Sequence, residues 1–111
     1  MPWRKEDFVT GRIGGLLDEI HDKWFNVDSI ASVNTSGVWT LPFGGQKLGP
    51  YGKLLVVTRV IDCQVRDTQR IGTYDINRVS YDSIRNTLRL ECNMPLDVSL
   101  CVGPEFTVEV K

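Results

Sequence analysis

The sequence predicts an α+β protein: an N-terminal helix packed across a strongly twisted, mainly antiparallel sheet, a meander of five or six strands curling towards a half-barrel. Three observations lead there. Apolar residues near the N-terminus recur at steps of three and four, residues after Lys53 alternate between apolar and polar, and the links between the alternating segments are short.

Val9, Ile13, Leu16, Leu17, Ile20 and Trp24 fall on one helical face, with Asp18, Glu19, Asp22 and Lys23 on the other, which predicts a helix from about Lys5 to Phe25. Gly11, Gly14 and Gly15 weaken it, since each costs a helix interior about 1 kcal/mol relative to alanine. Residues 26–52 hold five glycines and two prolines and read as irregular, with a short strand near 38–41 that could join the sheet at either edge. From there the strands are Lys53 to Arg66, Thr73 to Asp82, Thr87 to Asn93, Leu96 to Cys101 and Glu105 to Val110. Leu54 to Val57 is apolar on both sides and calls for a second cover, either the aromatic loop or another subunit. The 111 residues, 41% of them hydrophobic, suit one domain with one core.

Charge and composition narrow the function classes. Thirteen basic residues against fourteen acidic ones give a net charge of −1, divided evenly at Gly52 into 5 against 6 before it and 8 against 8 after. A nucleic-acid binder would carry a basic excess or cluster, so that partner is not expected. No run approaches a membrane span, and charged residues interrupt the first twenty positions, which argues against a secretory signal. Cys63, Cys92 and Cys101 are odd in number and fit neither a redox pair nor a zinc site, so a reduced, cytoplasmic protein is expected, with Cys63 and Cys92 acting as small core residues.

Short links make the strand registers calculable, because inward residues must oppose inward residues. The calculation pairs Tyr81 with Leu88, Val79 with Leu90 and Arg78 with Glu91, then Leu90 with Val98 and Glu91 with Asp97, then Val98 with Val108 and Asp97 with Glu109. A bulge near Asn77 restores the phase of the preceding segment and brings Asp62 opposite Asn77 and Arg78. The outer face would then carry a row Asp62, Arg78, Glu91, Asp97, Glu109, with neighbours about 5 Å apart. Four carboxylates around one guanidinium repel each other, and need a cation, a proton, a covering basic side chain such as Arg89 or Lys53, solvent, or a basic partner.

Other chemistry is thinly supplied. His21 is the sole histidine, placed at the helix flank beside Asp18 and Asp22, and Cys101 faces Glu105 in the predicted register, which would raise its thiol rather than activate it. The segment Gly44 to Lys53 fails the P-loop pattern at Lys47 and Leu54, and no cofactor or metal is expected. Aromatic residues crowd the first half, with Trp39, Phe43 and Tyr51 in the glycine-rich stretch. They serve either as a contact loop or as an added edge strand over the core. Arg59 falls on the inner face near Tyr81, where it either ends the core or meets a ligand anion at the mouth of a cleft between helix and sheet.

These features favour a non-enzymatic interaction module that self-associates, as a dimer for preference, through the acidic row or the aromatic loop. The alternatives are a small-molecule binder with a cleft between helix and sheet, and a small acid-base enzyme using the strand carboxylates.

Overall fold

The computed structural model describes residues 2–30 and 33–111. In chain order its elements are β1 (Trp3–Arg4), α1 (Lys5–Val9), α2 (Gly14–Ile20), β2 (Trp24–Asn26), a single 3-10 turn (Val27–Ser29), β3 (Trp39–Phe43), β4 (Lys53–Val57), β5 (Val60–Arg66), β6 (Thr73–Asp82), β7 (Thr87–Cys92), β8 (Asp97–Val102) and β9 (Thr107–Val110). The α+β class holds. The curled antiparallel sheet is the five-stranded one, ordered β2-β6-β7-β8-β5 and bent into a half-barrel, and β1-β9-β4-β3 form a second sheet that faces it.

The helix expected from Lys5 to Phe25 is instead two short ones. At the start of α1 the Arg4 amide donates to Asp7 Oδ2 at 2.8 Å, and Gly11, at φ +76°, then turns the chain in a conformation that glycine adopts at little cost. Leu16 and Ile20 of α2 are fully buried. Trp24 and Phe25 continue the helical stripe in sequence but pair with Asp75 and Tyr74 as β2, as suits aromatic residues beside an available sheet edge.

Both sheets contribute to one core, in which Phe25, Trp39, Leu41, Phe43 and Tyr74 are at most 1% exposed. The sheets meet at two corners. At the first, the chain bends from β4 to β5 through Thr58 and Arg59, with Arg59 at φ +59°; the Val60 amide donates to Gly37 O at 2.8 Å and the Gly103 amide to Arg59 O at 2.9 Å. At the second, Trp24 and Gly44 exchange amide-to-carbonyl bonds of 2.7 and 3.0 Å. Gly44 is required there, because a Cβ would lie 2.6 Å from the Pro50 carbonyl oxygen.

The central registers agree with the sequence. Tyr81 opposes Leu88, Val79 opposes Leu90, Arg78 opposes Glu91, Leu90 opposes Val98 and Glu91 opposes Asp97, with a register shift between Ile76 and Arg78. Outside β6-β7-β8 the meander is overturned. The bend at Thr58 and Arg59 splits the long strand, so that β4 takes β9 and β5 takes β8, while β6 takes β2 on its other side. Asp62 therefore opposes Cys101 and not Arg78, Glu109 opposes Val56 and not Asp97, and Val108 opposes Val57 and Trp3 and not Val98. The strand near 38–41 is β3, paired with β4 at the edge of the second sheet.

Candidate functional site

On the outer face of the half-barrel the registers assemble three rows of four residues. Asp82, Thr87, Cys101 and Asp62 form the first, Ser80, Arg89, Ser99 and Gln64 the second, and Arg78, Glu91, Asp97 and Arg66 the third. The third row replaces the expected acidic one. Two carboxylates stand between two arginines, and Glu109 lies in the other sheet, so the expected Asp97–Glu109 pairing, on which the acid-base alternative depends, is not assembled.

Each carboxylate of that row has its own cation. Arg78 Nε lies 3.0 Å from Glu91 Oε2, and Arg89 Nη2, reaching across from the second row, lies 3.1 Å from Asp97 Oδ1. Burial alone would raise the Glu91 carboxyl, but the Ser80 hydroxyl donates to it at 2.9 Å and Arg78 and Arg89 favour its charged form, so it is held below its ordinary value of 4.5. A covering arginine thus relieves the repulsion between Glu91 and Asp97.

The face is concave. It forms an open trough of about 790 Å³ whose charged lining is balanced, with Asp62, Asp82 and Asp97 against Arg66, Arg85 and Arg89. A smaller groove of about 310 Å³ shares Arg66, Arg89 and Asp97 with it and runs on towards Met94 and Leu96. Among the described residues, Arg66 and Arg85 make no ion pair.

One side of this trough is the free edge of β5. Among the described residues the strand pairs only with β8, and its regular part runs from Asp62 to Arg66, since Ile61 is the extra residue of a bulge between Val60 and Asp62. Beyond Arg66 the chain turns away, where Asp67 accepts the Tyr74 hydroxyl and the Arg70 amide. Val65 opposes core residue Val98 yet is 41% exposed, and Ile61 is 70% exposed.

The remaining expected site residues disperse. Trp39 and Phe43 are core residues of β3, and half-buried Tyr51 donates its hydroxyl to Lys47 O at 2.5 Å, so these aromatics line no cleft. Arg59 is exposed at the corner and not on the inner face. Tyr81 does face inward, packing tilted against Phe106 at 5.0 Å and edge-on to Phe8 at 6.4 Å and donating to Asn86 Oδ1 at 2.8 Å. With Leu16 and Ile20 packed onto the sheets, the space beneath α2 is filled by core side chains. His21 ends α2, its Nδ1 2.9 Å from Asn77 O and its Nε2 3.4 Å from Asp22 Oδ2.

Cys63 and Cys92 pack against the core as expected. Burial pushes the Cys63 thiol up, with the Asp62 carboxylate adding to it and the Trp39 indole opposing it. That indole Nε1 has no conventional hydrogen-bond partner, sulfur being a weak acceptor. Burial, with Asp75 and Asp97 nearby, pushes Cys92 up to about 12. Cys101 opposes Asp62 and Thr87, not Glu105. Among the described residues no group of three or more His, Cys, Asp or Glu is placed to hold a metal, and no helix is long and apolar enough to cross a membrane.

Sequence reasoning missed Gln64, Arg66 and Arg85. The alternation Asp62, Gln64, Arg66 was there to be read, but its meaning depends on which strand β5 joins. Comparison with protein-family models, curated proteins and solved structures found no match.

Proposed function

We propose that this chain is a non-enzymatic interaction module that self-associates through the five-stranded sheet. The observation that carries the reading is the β5 edge from Asp62 to Arg66, uncovered among the described residues, where exposed Val65, with exposed Ile61 in the bulge before it, borders a charge-balanced trough. Sheet edges in soluble proteins are commonly protected by Lys, Pro, a bulge or a covering segment, and in β5 the bulge lies at Ile61, outside the run Asp62 to Arg66. The segment Val60–Arg66 contains neither Lys nor Pro, and its one acidic and one basic residue cancel. Such an edge recruits another strand, with backbone bonds supplying affinity and side chains supplying choice. Three free cysteines support a reducing, cytoplasmic setting.

The test is native mass measured across a concentration series for the wild type and Val65→Lys. A mass that rises with concentration, and rises less in the lysine variant, is expected; a concentration-independent monomer overturns self-association.

A further inference from the structure

We propose that the occupant of the β5 edge is the β5 edge of a second copy, running antiparallel about a two-fold axis at Gln64, so that two half-barrels join into one ten-stranded sheet with a shared outer trough. This rests on the self-association reading above and adds a partner surface and a register to it.

The register follows from three features. The regular edge is Asp62 to Arg66, and a two-fold axis at its centre, Gln64, uses all of it. In an antiparallel homodimer about that residue, Asp62 opposes the partner's Arg66 and Arg66 opposes the partner's Asp62, so the outer face gains two opposite-charge pairs. Asp62 accepts only a 3.4 Å contact from its own Gln64 amide, and Arg66 has no ion pair among the described residues, so both groups are available. On the inner side the same register sets Val65 against the partner's Cys63. Val65 faces a buried core residue, is 41% exposed, and lacks only a neighbour beyond the edge.

Shifting the axis to Cys63 loses this match. Asp62 would then oppose the partner's Gln64, and Arg66 the partner's Val60 at the irregular end of the strand. Charge also disfavours a strongly basic or acidic partner, because the trough carries three Asp and three Arg. A balanced surface of this kind complements itself. Edge pairing over so short a strand buries less than the roughly 1,200 Å² typical of stable complexes, so the dimer is weak and forms at micromolar concentration or above.

Two measurements decide it. Gln64→Cys places two thiols across the axis, where opposed Cα atoms lie about 4.5 to 5.5 Å apart, within disulfide range. Under mild oxidation this variant is expected to form a covalent dimer while the wild type, with Cys63 off the axis, does not. In sedimentation, Asp62→Arg and Arg66→Asp are each expected to weaken association about tenfold, and the double exchange to restore it. Hydrogen exchange on the wild type needs no substitution, and should show those amides of residues 62–66 that point away from β8 becoming protected as concentration rises. Association without Gln64→Cys cross-linking or charge-exchange rescue would overturn the register and leave the interaction reading standing. A monomer at every concentration would overturn both.

Discussion

The two edges of the five-stranded sheet are treated in opposite ways. At one end β2 is three residues long, its central Phe25 is fully buried, and the paired backbone bonds of Trp24 with Gly44 hand the edge on to the second sheet. At the other end β5 is seven residues long, and beyond the Val60–Gly37 bond no strand among the described residues pairs with its outer edge. The same strand chemistry is closed in one place and left available in the other, and the proposed self-association rests on the second.

Four changes probe that contrast. Phe25→Ala on the closed edge should cost about 3–5 kcal/mol in denaturant unfolding, since it empties a fully buried aromatic site. Gly44→Ala should cost about 1–3 kcal/mol, because the added Cβ would meet backbone, which has little room to yield. If instead Gly44→Ala were neutral, the closed edge would not depend on close approach at this corner. Glu91→Gln tests the sheet between the edges. The Glu91 carboxyl is held below 4.5, so its contribution to stability is complete above that pH and is lost as pH falls through the lowered value. Unfolding measured from pH 7 down to pH 3 should therefore show a flatter acid limb in the variant. Val65→Ala on the open edge should change stability by less than about 0.5 kcal/mol in dilute solution, below the concentration at which the proposed association sets in.

Legibility followed the length of the links. The hairpins joining β6, β7 and β8 are short, so their pairs and the bulge before Arg78 could be counted from the residues alone, and Glu91 beside Asp97 emerged correctly. The helix was misjudged because Trp24 and Phe25 satisfy a helical stripe and a strand equally well, and only the free edge of β6 decides between them. The wider error came from Thr58 and Arg59. An arginine at positive φ gives no warning in sequence, yet the bend there exchanges the partners of Asp62 and Glu109 and converts an acidic row into a balanced one. Part of the site was legible as a run of outward carboxylates; the arginine opposite them on β5 was not, because it arrives by a long-range pairing.

The pairing of Trp3 with Val108 bears on the order of assembly. The β6-β7-β8 hairpins close small loops and can form early, whereas β1 cannot find its strand until β9 has docked on β4, so the second sheet completes late. In the self-association proposed above, the opposed charges of Asp62 and Arg66 would separate an ordered edge-to-edge encounter from indiscriminate strand pairing.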